Sequence, residues 1–108
     1  MIVGVGCDIV EIQRLSKHQE KLASRILTKN EYRLYQQYDV NRQLEFLAGR
    51  FAAKEAIIKA LDQPKLLSDI EVLNNDGGKP QCQLGNYTIH VSISHEKQYA
   101  MAYAICEK

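Results

Sequence analysis

Apolar residues recur at helical intervals over one long stretch of this chain. Leu44, Leu47, Ala48, Phe51, Ile58 and Leu61 mark one buried face of a helix. Asn41 is placed to cap it, and it should end near Leu61, with Pro64 as a stop signal. Ahead of it, Thr28-Lys29-Asn30-Glu31 has the form of a capping box and predicts a short helix through about Tyr38. Residues 14–24 form a basic helical stretch. Residues 2–12 have the pattern of a strand, in which Gly4 and Gly6 signal a bulge or a close backbone approach.

The second half changes period. Ile70 to Leu73 form a short apolar run, and Asn74 to Pro80 is a dense turn cluster. A brief strand through Cys82 follows, then a Gly85-Asn86 turn. Tyr87 to Ser94 alternates apolar and polar, so one face is wetted and the other buried. After His95-Glu96-Lys97, Gln98 to Cys106 returns as the second strand of a hairpin. The pattern predicts an α+β fold spanning residues 1–108 as one domain, with an antiparallel sheet packed on one long helix plus shorter helices.

Composition narrows the function more than the fold. The 108 residues carry a net charge of +1, whereas a general nucleic-acid binder needs a strongly basic domain. No apolar run approaches membrane-spanning length, and the N-terminus reaches Asp8 without the basic start of a signal peptide. Cys7, Cys82 and Cys106 are odd in number and share no metal-ligand spacing, which suits reduced thiols in the cytoplasm. The charge is uneven, however. Between residues 14 and 33 six Lys/Arg stand against Glu20 and Glu31. Arg14, Lys17, Lys21 and Arg25 fall at intervals of three and four. That spacing fits either a solvated surface helix or a docking face for an acidic partner, with Leu15, Leu22, Ile26 and Leu27 as apolar anchors.

Glu55 is the residue that points to chemistry. It lies four after Phe51 and three before Ile58, on the apolar face, where a carboxylate is costly unless paired, hydrogen-bonded or bound to a metal. Lys59 projects beside it, and a plain surface pair of this spacing contributes only about 0.2–0.5 kcal/mol. Asp8 is the other acid in an apolar setting, between Cys7 and Ile9. If the two converge, their hard oxygens suit magnesium with phosphate as co-ligand. Gly77-Gly78-Lys79-Pro80 offers amides and an ammonium to a phosphate, or is simply a hairpin turn. His95 opens a loop; His18 and His90 carry no such signal.

Together these segments resemble a known family. Gly4-Val5-Gly6-Cys7-Asp8-Ile9-Val10-Glu11 is similar to its GxGxDxxE opening, and Phe46 to Ala60 to its FLAxRFAAKEAxxKA helix. Gly77-Gly78-Lys79-Pro80 resembles its NGKP-type turn and His90 to His95 its HVSISH strand. The family is the bacterial holo-acyl-carrier-protein synthases, the small 4′-phosphopantetheinyl transferases. The resemblance implies transfer of 4′-phosphopantetheine from coenzyme A to a serine of apo-acyl carrier protein, in support of fatty acid biosynthesis. It implies Asp8 and Glu55 as magnesium (or manganese) ligands, and Glu55 as the base, directly or through a water. It implies Lys59 as a neutraliser of phosphate charge. Arg50, Gly78, Lys79, Pro80 and His95 would contact coenzyme A, and Arg14, Lys21 and Arg25 the acidic carrier. It also implies a homotrimer with sites between neighbouring subunits.

Two departures are visible. Asp62-Gln63-Pro64-Lys65 stands where the family has a glycine-containing loop, and the stretch from Arg14 to Arg25 is shorter than in many relatives. Two other readings compete. A non-catalytic adaptor would use the basic face but have no use for Asp8 and Glu55. A transferase for peptide-synthesis carrier domains would be expected at about twice this length.

Overall fold

The computed structural model describes residues 1–108. Five strands form one antiparallel sheet in the order β1-β5-β4-β3-β2. They are β1 (Ile2–Glu11), β2 (Val72–Asn74), β3 (Pro80–Leu84), β4 (Tyr87–His95) and β5 (Tyr99–Glu107). Three helices, α1 (Gln19–Ile26), α2 (Lys29–Gln37) and α3 (Val40–Ala60), lie between β1 and β2 in the chain. The expected α+β architecture, with the sheet packed on the long helix, is what forms.

The alternation expected for β4 holds. Tyr87 and Ile89 are buried, whereas Thr88, His90, Ser92 and Ser94 are exposed. On β5, Ala100, Ala102, Ala104 and Cys106 turn inward, and their small side chains let α3 settle close to the sheet. At β1 the approach is closer still. A Cβ on Gly4 would lie 2.3 Å from the Ala60 carbonyl oxygen, and one on Gly6 would lie 2.1 Å from that of Ala56. Both roles signalled for glycine occur, because the β1–β5 register also shifts between Ile2 and Gly4.

Several boundaries differ from the sequence reading, for local reasons. The long helix is capped by Asp39, whose Oδ1 accepts from the Arg42 amide at 2.9 Å; Asn41 is already inside it. The basic stretch is not one helix: Ile12–His18 is a 3-10 segment and α1 begins at Gln19. Strand β1 therefore stops at Glu11, and Ile12 points inward at 3% exposure. Strand β2 begins at Val72, while Ile70 is buried in the connection before it. The Thr28–Glu31 capping box forms as expected.

The largest difference concerns α3. A one-sided helix was expected, with Glu55 on its apolar face. In fact the sheet covers one side and α1 with α2 covers the other, so two hydrophobic clusters form around it. Phe46–Arg50, Ala52–Lys54, Ala56, Ile57 and Ala60 are buried, while Phe51, Glu55 and Ile58 are half-buried. Ile26 and Leu27, expected as surface anchors, belong to the second cluster at 2% and 7% exposure.

Candidate active site

The close approach of β1 to α3 positions the first acid. Gly4 faces Ala60 and Gly6 faces Ala56, so the strand climbs as the helix descends. Two strand residues span roughly 6.6 Å and four helix residues about 6 Å, which carries Asp8 to the turn Ala52–Glu55. Lys59 closes the arrangement. Its Nζ donates to the Cys7 carbonyl at 3.0 Å and stands 3.3 Å from Asp8 Oδ1. The Asp8 side chain is 18% exposed and that of Lys59 is 55% exposed. A carboxylate in a crevice thus faces an exposed ammonium, with Glu55 on the adjoining turn.

The donor set suits one kind of metal. The chain contains no group of three or more His, Cys, Asp or Glu side chains able to hold an ion. Closed zinc and calcium sites need more protein ligands than that. Magnesium takes one or two carboxylates and completes its shell with water and phosphate, so Asp8 and Glu55 fit it. The Lys59 ammonium already places positive charge on Asp8.

Arg50 and His95 come together elsewhere. They line a small cavity of about 100 Å³ with Arg42, Glu45, Gly49 and Asn74. Arg50 is more engaged than its motif suggests. Its Nε donates to the Val72 carbonyl at 2.9 Å and its Nη2 to Asn74 Oδ1 at 3.1 Å, with the guanidinium over the Phe46 ring. Burial lowers its pKa, partly offset by Glu31. Arg42 was not singled out from the sequence, although it precedes Arg50 by eight residues, about two helical turns.

Gly78, Lys79 and Pro80 lie in a third place. The turn is tied by the Asn75 amide to the Lys79 carbonyl at 2.8 Å, and Gly78 takes φ +86°. Lys79 and Pro80 border a groove of about 590 Å³ along β3 and β4. Strand β3 is three strand spacings from β1, roughly 14 Å. Within one chain, then, Lys79 and Asp8 stand on opposite halves of the sheet.

The basic residues do converge. Arg14, Lys21 and Arg25 line one concavity of about 320 Å³ with Leu15, Leu22 and His18. Lys17 does not join them. His18, passed over in the sequence, is four residues after Arg14 and three before Lys21. The surface is more basic than the count suggests. All six Lys/Arg between 14 and 33 are exposed, while Glu31 is fully buried, leaving Glu20 as the exposed acid. The departing loop after α3 is also held: Asp62 accepts from the Tyr87 hydroxyl and lies 3.4 Å from Lys108 Nζ. The Tyr87 hydrogen bond lowers the Asp62 pKa.

The model of the 4′-phosphopantetheinyl transferase superfamily matches residues 4–105. The chain belongs to that superfamily. It is 45% identical over 116 residues to the holo-[acyl-carrier-protein] synthase of Oceanobacillus iheyensis, covering 99% of this chain and 98% of that protein. Among solved structures it resembles the Bacillus anthracis holo-(acyl-carrier-protein) synthase in complex with CoA (3′,5′-ADP). That likeness has a TM-score of 0.92 at 43% identity and covers 98% of this chain and 96% of that one. The Helicobacter pylori synthase in complex with coenzyme A matches with a TM-score of 0.80 at 28% identity, over 95% of this chain and 99% of that one. The family read from the sequence motifs is therefore correct.

A second charged residue of this transferase-superfamily chain, besides Arg42, escaped sequence reasoning. Lys54 is fully buried and pairs with Glu31 at 2.6 Å, also with no exposure. The signal was present: Lys54 is seven residues after Leu47 and seven before Leu61, on the same apolar stripe. Its pKa is lowered by burial, an effect opposed by Glu31.

Proposed function

We propose that this protein transfers the 4′-phosphopantetheine group from coenzyme A to a serine of apo-acyl carrier protein, releasing adenosine 3′,5′-bisphosphate. The observation that carries this reading is the Asp8–Lys59 contact beside Glu55, in a chain whose full-length relatives are named holo-[acyl-carrier-protein] synthase. The serine Oγ attacks the β-phosphorus of the pyrophosphate. The bond from that phosphorus to the bridging oxygen breaks, and the nucleotide leaves with the bridging oxygen.

Asp8 and Glu55 would hold magnesium, which when bound supplies charge neutralisation at the pyrophosphate. Glu55, half-buried one helical turn before Lys59, takes the serine proton. Lys59 leaves Asp8 when phosphate arrives and offsets the charge that builds in the transition state. Gly78, Lys79 and Pro80 hold the nucleotide end, with His95 and the uncommitted guanidinium hydrogens of Arg50 as further phosphate contacts. Arg14, Lys21 and Arg25 grip the acidic carrier, and the whole chain serves as a single catalytic domain. This role places the protein in the cytoplasm, in the supply of active carrier for fatty acid biosynthesis. No helix is long and apolar enough to cross a membrane. Cys82 and Cys106 are both buried and both register with Ile89, two strand spacings or about 9.6 Å apart, too far for a disulfide.

The working unit is a homotrimer. The sheet face away from α3 exposes Val5, Ile9, Tyr99, Met101 and Tyr103, an apolar surface of the kind that marks an interface. Association would also bring Lys79 of one subunit toward Asp8 of the next, which a single chain keeps apart. The test of the function is the intact mass of an apo-acyl carrier protein incubated with this protein, coenzyme A and magnesium. A gain of one phosphopantetheinyl group, absent with chelator or without coenzyme A, is expected. No gain with several carriers would overturn the reading and leave the basic surface as a docking site only.

A further inference from the structure

Nothing in the proposed chemistry uses Lys54, yet its side chain makes three hydrogen bonds, a number matched by its partner Glu31. Its Nζ donates to the Ile26 carbonyl at 2.6 Å, to Glu31 Oε1 at 2.6 Å and to the Leu67 carbonyl at 3.2 Å. An ammonium has three protons, so all are engaged. Glu31 is equally committed: Oε2 accepts from the Val72 amide at 2.7 Å, and Oε1 accepts from the Thr28 amide at 2.8 Å. One ion pair therefore ties together the end of α1, the start of α2, the middle of α3, the Leu67 turn and the first residue of β2.

Buried ion pairs are weak devices for stability, since well-packed apolar residues often do as well. What this pair provides is a fixed set of directed hydrogen bonds to four backbone groups. Ile26 is the last residue of α1, where helix carbonyls lack intrahelical partners and a cation complements the dipole. Arg25, the residue before it, lines the basic concavity with Lys21 and Arg14. Lys54 itself precedes Glu55 in the chain. The pair thus joins the backbone that presents the docking charges to the backbone that presents the proposed base. On its other side α3 is held by the Gly4 and Gly6 contacts with β1, which do not involve Lys54.

We propose that Lys54 and Glu31 are positioning residues that hold the carrier-docking helix α1 in register with the Glu55 turn of α3. The proposal rests on the transferase reading for its kinetic consequence. Its structural consequence, the tethering of α1, stands without it.

The experiment compares the wild type with Lys54→Met and with the double variant Lys54→Met/Glu31→Gln. The double variant leaves no unpaired buried charge and keeps an acceptor for the Val72 amide. Hydrogen exchange should show loss of protection in residues 19–27 while residues 50–60 stay protected. Steady-state transfer should show KM for the carrier protein raised about tenfold, with KM for coenzyme A and kcat little changed. Unchanged protection in α1 overturns the proposal. So does a uniform loss of protection in both variants, which assigns the pair to global stability, or a fall in kcat with both KM values unmoved. A wild type that transfers nothing overturns the transferase reading instead, and the exchange data still decide the tethering.

Discussion

Gly6 of β1 and Ala56 of α3 pack backbone against backbone, so closely that a Cβ on Gly6 would lie 2.1 Å from the Ala56 carbonyl oxygen and 2.8 Å from Lys59 Cβ. This contact sets the distance between the strand that carries Asp8 and the helix that carries Glu55 and Lys59. Gly6→Ala must push the two apart, because neither clashing atom is the free end of a side chain. The expected cost is about 3 kcal/mol or more in urea denaturation. Gly77→Ala, where the nearest atom is Asn75 Oδ1 at 3.4 Å, should stay within about 0.5 kcal/mol of the wild type. Equal stability of Gly6→Ala and the wild type would contradict the packing described.

Glu55→Gln and Asp8→Asn should each reduce transfer by about a hundredfold or more while leaving the thermal unfolding curve nearly unchanged. Both side chains are partly exposed, so their replacement leaves no buried group unpaired. Rate against magnesium concentration is the informative measurement. Asp8→Asn should need more metal, and full activity of Glu55→Gln would remove it from the mechanism.

Replacing Arg14, Lys21 or Arg25 with Ala should raise KM for the carrier protein severalfold without altering KM for coenzyme A. The effect should shrink with added salt, since these side chains are exposed and act through screened charge. The triple variant should lose most of the salt dependence seen for the wild type. A salt profile unchanged in the triple variant would place the carrier elsewhere on the surface.

Tyr103→Glu places a charge within the exposed apolar face of β5, where Tyr103 is 47% exposed. If the proposed trimer forms through this face, sedimentation equilibrium should show it giving way to monomer in the variant, with activity falling in step. If subunits share sites, inactive Asp8→Asn and Lys79→Ala proteins should regain partial activity when refolded together. Failure of the mixture to recover would confine both residues to one chain's site.

Stability should fall at alkaline pH. Burial pushes the Cys82 thiol from 9.0 up to about 11, and burial also raises Cys106. Tyr35 is raised to about 12, by burial first and then by its hydrogen bond to Glu20. An acid with a raised pKa keeps its proton in the folded protein after the unfolded chain has lost it. The folded state then binds more protons, and stability declines as pH rises from 9 to about 11. Cys82→Ala should show a shallower decline over that window in urea titrations, by as much as one proton. Identical slopes would mean that the thiol titrates normally.

The amino-acid sequence by itself determined the elements and the family. The capping box at Thr28 and Glu31, the alternation of β4 and the glycine-bearing strand before Asp8 are all local patterns. Each is set by hydrogen bonds or side-chain period within a few residues, so each was legible without the fold. The same holds for the motif that contains Glu55 and Lys59. What the tertiary structure decided is which side of each element faces what. Because α3 is covered by the sheet and by α1 with α2, helical periodicity could not tell Lys54 from Glu55; the fully buried charge is the neighbour of the one singled out. Ile26 and Leu27 became core for the same reason, and burial of Glu31 left the α1–α2 surface more basic than its sequence. Separation of Lys79 from Asp8 follows from strand order, a long-range pairing that no local pattern encodes.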